Sequence, residues 1–264
     1  MIEIKNEEQI GYMKVACELA GNLLKELHSF IKPGLTTKDI DRYVEDYIRS
    51  HGQKPGFKGY GGFPDSACVS VNEELIHGIP SKKKVLKEGD IVKVDLGSIY
   101  KGYYSDCART YPVGKISEEN ARLIKVAEES FFEGIKYARK GNRIGDIASA
   151  IQAYVEAAGF SVIRDYTGHG LGRDMHEDPA VPNYGKAGHG VKLVPGMCLA
   201  IEPMIAAGGY KVRVLDNDWT VVTTDGSWTV HYENDIVITE GDPLVLTCFD
   251  RELKELEPEK EGSC

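Results

Sequence analysis

The sequence predicts an α+β fold of two similar halves, with antiparallel strands inside and helices outside. Three observations carry that expectation. Two stretches of helical periodicity open the chain, the same pair recurs 107 residues later, and the segments between are short strand-like runs broken by turn residues.

In residues 6–31, apolar side chains fall at Ile10, Met13, Cys17, Ala20, Leu24, Leu27 and Ile31. Steps of three and four residues place them on one helical face. Asn6 followed by Gln9 reads as a capping box, and Lys32-Pro33-Gly34 ends the helix. A second helix is expected over about 38–50, closed by Gly52. Downstream, a helix over 118–139 ends at Arg139-Lys140-Gly141, and another over about 145–158 closes at Gly159. The pairs Gly34/Gly141, Asp39/Asp146, Ile40/Ile147 and Gly52/Gly159 all keep the 107-residue offset, as do Gly89/Gly196 and Asp95/Glu202. Strands are expected in 68–79, 90–113, 197–205, 219–239 and 243–248. The expected organisation is one catalytic domain over 1–250, with halves about 6–113 and 118–248, and a charged tail over 251–264.

Composition excludes several function classes. With 264 residues, 42% hydrophobic and 28% charged, the chain is ordinary for a globular protein, and no apolar run approaches the ~20 residues of a membrane helix. The net charge of −9 disfavours general nucleic-acid binding, leaving Ser81 to Lys87, "SKKKVLK", as a local basic exception. Six scattered cysteines form no C-x-x-C pair and read as reduced thiols. No signal or transit pattern is visible at the N-terminus, so a cytoplasmic location is expected.

Acids inside apolar strands carry the chemistry. Asp95 and Asp106 flank a turn near Tyr100 to Gly102, and a hairpin centred between Tyr100 and Lys101 sets them directly opposite each other. Two adjacent buried aspartates cannot both ionise cheaply unless a cation lies between them. Glu202 stands in a second apolar strand, at the repeat position of Asp95. Glu233 stands in a third, where alternation puts His231 on the same face. Four carboxylates with one imidazole favour hard or borderline octahedral ions such as manganese, iron(II) or cobalt. Bridging carboxylates suggest two ions, which together activate a water for hydrolysis. The stretch Gly168 to Pro179, "GHGLGRDMHEDP", offers two histidines for the imidazole, His169 and His176, and the residues alone leave that choice open.

Taken in order, "HGIP" with His77, "VDLG" with Asp95, "SDCART" with Asp106, "GHGLGRDMHEDP", "IEPM" with Glu202 and "YEND" with Glu233 resemble the motifs of the methionine aminopeptidases over about residues 3–248. The resemblance implies the pita-bread fold and removal of N-terminal methionine from nascent polypeptides, with preference for a small second residue. It further implies that Asp95, Asp106, His169, Glu202 and Glu233 hold two divalent ions, with Asp106 and Glu233 bridging. In that pattern Glu202 moves the proton, His176 stabilises the oxyanion and His77 contacts the scissile amide. Phe57, Tyr60, Phe63, Cys68 and Trp219 form the methionine pocket. Only 26 residues separate His176 from Glu202, which leaves no room for the long insertion of type II enzymes, so the bacterial type I form is expected.

The match departs at four places. Phe57 stands where cysteine is frequent, Phe63 where tyrosine is, Met175 where phenylalanine is, and His231 where glutamine is. An additional imidazole there could alter a pH profile. None of these departures removes a ligand. The resemblance also implies a monomer that touches the ribosome transiently, for which "SKKKVLK" is the candidate contact. The nearest rival, a proline-specific peptidase of the same fold, usually carries a large extra N-terminal domain.

Overall fold

The computed structural model describes residues 2–247, so the expected tail over 251–264 lies outside the described residues. Helix α1 spans Glu7–Phe30 and α2 spans Thr37–Ser50. Both begin at capping boxes, Asn6 with Gln9 and Thr36 with Asp39, which satisfy the free N–H groups of a first turn. Their apolar faces, with Leu23, Leu24, Leu27, Ile40, Val44 and Ile48, pack onto Val69, Val92, Val94 and Leu96 of an antiparallel three-stranded sheet. That sheet orders Ala67–Val71, Ile91–Leu96 and Cys107–Pro112. Truncating a side chain in this layer, such as Leu24→Ala, should cost ~2–5 kcal/mol through lost burial and the cavity left behind.

The second half repeats the plan. Helix α3 spans Glu118–Ile135 and α4 spans Ile144–Ala157. Leu123, Phe131, Ile147 and Ile151 pack onto Leu199, Ile201, Ile205 and Ile236 in a separate apolar cluster. The 107-residue offset extends to single hydrogen bonds. Gly34 N–H donates to Leu86 O at 2.8 Å and Gly141 N–H to Leu193 O at 3.0 Å, while Leu86 N–H reaches Leu35 O and Leu193 N–H reaches Asn142 O. The paired glycines share a backbone state that side chains resist, with φ of 91° and 93° at Gly34 and Gly141 and 93° and 87° at Gly89 and Gly196.

Two expectations are corrected. Helix α3 ends at Ile135 rather than near 139, because Tyr137 and Ala138 fold into tight turns and the Asn142 amide donates to Tyr137 O at 3.0 Å. The hairpin between the two aspartates turns at Lys101-Gly102, both with positive φ (48° and 81°), which is the twist-matched two-residue turn. Its register pairs Asp95 with Ala108, so Asp106 sits one diagonal step away rather than directly opposite. The stretch "GHGLGRDMHEDP" begins in regular structure. Gly168–Gly170 is a strand inside a five-stranded sheet, between Cys198–Ile201 and Glu177–Val181, with Asn234–Val237 and Leu244–Val245 beyond. Among the described residues no helix is long and apolar enough to cross a membrane, and Cys17, Cys68, Cys107 and Cys198 are buried free thiols.

Candidate metal centre and substrate pocket

The acids reach one place from one strand and from the ends of others. Asp95 comes from the buried strand Ile91–Leu96, and Asp106 lies just before Cys107–Pro112. Glu202 follows Cys198–Ile201, where Pro203 interrupts the ladder and Asn183 donates to Glu202 O at 2.7 Å. Glu233 falls in a break between Thr229–His231 and Asn234–Val237. Its N–H donates to Ala108 O at 3.0 Å, tying the second half to the strand that follows Asp106. Arg109 fixes the same junction by donating to Glu233 O at 2.7 Å and to Asn234 Oδ1 at 2.8 Å.

His169 enters between two glycines. A methyl group at Gly168 would meet Ala200 O at 2.3 Å, so only glycine lets this strand lie against Cys198–Ile201. The His169 Nδ1 contacts Gly170 O at 2.8 Å, which sets the proton on Nδ1 and leaves Nε2 as a lone-pair donor. That Nε2 lies 3.7 Å from Asp106 Oδ2 and 3.9 Å from Glu202 Oε1.

Two sets of potential ligand atoms, each mutually within 4.8 Å, meet here: Asp106, His169 and Glu233, and Asp95, His231 and Glu233. Glu233 belongs to both. All six side chains in this cluster, Glu202 included, are at most 8% exposed, so water cannot neutralise them. Burial pushes the Asp95 carboxyl up to about 7 and that of Glu202 up to about 8. Burial, followed by the neighbouring carboxylates, holds Asp106 and Glu233 well above the usual range. Burial also drives His169 and His231 down to about 4, keeping both imidazoles neutral, as a ligand must be. One oxygen each of Asp95 and Asp106, and both ring nitrogens of His231, have no hydrogen-bond partner. Orphaned buried donors of mostly oxygen, with imidazole nitrogen, fit divalent cations of the manganese, iron or cobalt type.

Five side chains of this cluster, all but Glu233, help line a cavity of about 190 Å³ whose other walls include Phe57, Tyr60, Phe63, Cys68, Met175 and Trp219, with His77 and His176. All five residues expected in the methionine pocket are therefore together. Phe63 and Trp219 pack edge to face with centroids 5.1 Å apart. The His176 ring lies 4.3 Å from the His169 ring, and its Nδ1 is 3.0 Å from the Tyr60 hydroxyl. His176 is exposed on its outer edge, yet partial burial still lowers its pKa. His77 adopts φ 57°, an uncommon state for a non-glycine residue that clusters at functional sites.

Sequence reasoning passed over Ile76 and Gly61, which also line the cavity, and Asp235. Asp235 accepts the Asp106 N–H at 2.8 Å and the Cys17 thiol at 3.3 Å from beneath the site. Its position two residues past Glu233 inside an apolar strand was the available signal.

The sequence profile of metallopeptidase family M24 matches residues 11–240. A methionine aminopeptidase of Clostridium acetobutylicum is 57% identical over 247 residues, which cover 94% of this chain and 99% of that relative. The chain belongs to metallopeptidase family M24, among its methionine aminopeptidases. A crystal structure of methionine aminopeptidase from Thermotoga maritima, 48% identical, matches this M24 chain with a TM-score of 0.93, covering 94% of it and 100% of the other. An Xaa-Pro dipeptidase from Bacillus anthracis shares the fold at 26% identity and a TM-score of 0.75, but there the match covers only 61% of the longer protein. The architecture is the pita-bread fold of this M24 family.

Proposed function

We propose that this protein hydrolyses the peptide bond after an N-terminal methionine, favouring a small second residue, with two divalent ions held by Asp95, Asp106, His169, Glu202 and Glu233. Both halves then form one catalytic unit. The observation that carries this reading is the meeting of four buried carboxylates and His169, with Asp95, Asp106, Glu202 and His169 themselves lining an apolar, aromatic cavity.

When bound, the ions supply Lewis-acid polarisation of the carbonyl and a lowered pKa for the attacking water. Asp106, Glu233 and the Nε2 of His169 would be among the groups that hold them. The Glu202 carboxylate takes the water's proton and passes it to the departing amine. With the Tyr60 hydroxyl donating to Nδ1, a neutral His176 keeps its proton on Nε2, where it can donate to the developing oxyanion. His77 holds the scissile amide. Phe57, Tyr60, Phe63, Cys68 and Trp219 exclude water and receive the thioether, whose polarisable sulfur suits aromatic walls.

The substrates are N-termini of nascent polypeptides in the cytoplasm, and the enzyme acts as a monomer. Lys82, Lys83 and Lys87 are exposed on the basic turn and are the proposed local contact with ribosomal RNA. Such a contact should weaken with salt and with Lys82→Glu and Lys83→Glu in co-sedimentation with ribosomes.

The deciding experiment is methionine release from a Met-Ala-Ser peptide by chelated protein reloaded separately with manganese, cobalt, iron(II) and zinc, beside Glu202→Gln. Release that needs metal and disappears in Glu202→Gln is expected. No release with any metal, despite tight peptide binding, would overturn the hydrolase reading in favour of a module that holds N-termini.

A further inference from the structure

His231 is the most deeply placed imidazole of the site, 1% exposed, at the end of the strand Thr229–His231. Its main chain is fully engaged, because the Thr110 hydroxyl donates to His231 O at 2.9 Å and also accepts the His231 N–H at 3.0 Å. The ring is therefore aimed by a pinned backbone. Yet neither ring nitrogen has a hydrogen-bond partner. Nε2 approaches Glu202 Oε2 at 3.2 Å, at an angle that makes no hydrogen bond, and Glu233 Oε2 at 3.7 Å.

A buried imidazole with no hydrogen bond at either nitrogen has lost its hydration without replacement. Something must offset that loss. The ligand atoms of Asp95, His231 and Glu233 lie mutually within 4.8 Å, a spacing that donors to one ion can close by side-chain rotation. One oxygen of Asp95 is also unpartnered.

We propose that His231 is a sixth protein donor, its Nε2 completing the ion position formed by Asp95 and the bridging Glu233. This inference rests on the di-metal reading above. Without His231, that position is ringed by carboxylate oxygens only, while the other position has His169. With His231, both ions sit in mixed nitrogen and oxygen sets. Nitrogen donors favour borderline ions such as cobalt(II) over the harder manganese(II). The substrate of the new contact is thus a borderline divalent cation at the Asp95 side.

The test uses the full chain, chelated and then titrated with cobalt(II) or manganese(II) by calorimetry, beside His231→Gln, with His231→Asn as a second variant should the first fail to fold. Removing mere outer partners of metal ligands already costs ~10–100-fold in affinity. The second cobalt(II) ion should therefore bind at least ~10-fold more weakly in the variant, with manganese(II) affected less. Paramagnetic proton NMR of the cobalt(II) wild-type protein supplies a readout independent of any variant. Two strongly shifted, exchangeable imidazole N–H signals are expected, one of which is lost in His231→Gln.

A single shifted imidazole signal in the wild-type protein would overturn the proposal. So would two cobalt ions held by His231→Gln with unchanged affinity and spectrum, which would leave His231 as a neighbour of Glu202. A wild-type protein that takes up no cobalt at all would instead overturn the di-metal reading itself.

Discussion

Asp95 and Asp106 share one face of a single antiparallel pair, one diagonal step out of direct opposition, because Asp95 pairs with Ala108. Diagonal neighbours on one face remain within reach of each other's side chains. Two carboxylates held so close and so deeply buried repel unless a cation joins them. Asp106→Asn should therefore reduce the ions bound per chain and lower kcat/KM by ~100-fold or more, since outer partners alone are worth ~10–100-fold. Metal analysis of the gel-filtered variant checks it, and full occupancy with normal turnover would refute it.

The chelated protein should lose stability as pH rises from about 6.5 to about 8. Burial raises the folded-state pKa of Asp95 to about 7 and those of Glu202 and Asp235 to about 8, from ordinary values of 3.8, 4.5 and 3.8. In that range the folded state holds more protons than the unfolded one, so unfolding free energy falls as pH rises. The lowered histidines, about 4 in His77, His169 and His231, oppose this only below their ordinary value of 6.5. Divalent metal should flatten the decline by stabilising the charged carboxylates. Thermal melts across that range, with chelator and with manganese, give the comparison; parallel curves would count against a metal centre.

Tyr60→Phe removes the hydroxyl beside His176 Nδ1. In the proposed mechanism the ring then loses the hydroxyl that donates to Nδ1 and so holds its proton on Nε2. A neutral hydrogen bond is worth ~0.5–1.5 kcal/mol, so kcat/KM should fall by about 3–10-fold with metal content unchanged. Steady-state kinetics with metal analysis would separate this from loss of the ions.

Gly168→Ala forces a methyl group to 2.3 Å from Ala200 O. The strand carrying His169 must then move away from its neighbour, at a cost of ~1–3 kcal/mol. A lowered denaturation midpoint together with weaker metal binding is expected. A change in stability with unaltered metal affinity would show that His169 tolerates the shift.

The sequence by itself determined the two-part plan and the acids of the site. Helix periodicity, capping residues and glycines at matched offsets are local signals, and the four helices follow from them. The shared face of Asp95 and Asp106 was also legible, because the true register differs from the expected one by two residues and strand faces repeat every two.

Tertiary structure decided what depends on distant chain segments meeting. It placed His169 on a strand because Gly168 admits close contact with Ala200. It set Asp235 under Asp106 and left His231 with no partner but the metal cluster. None of these can be read from neighbours along the chain, since each rests on packing between segments tens of residues apart or more, and burial alone turns those side chains from surface groups into unsatisfied donors.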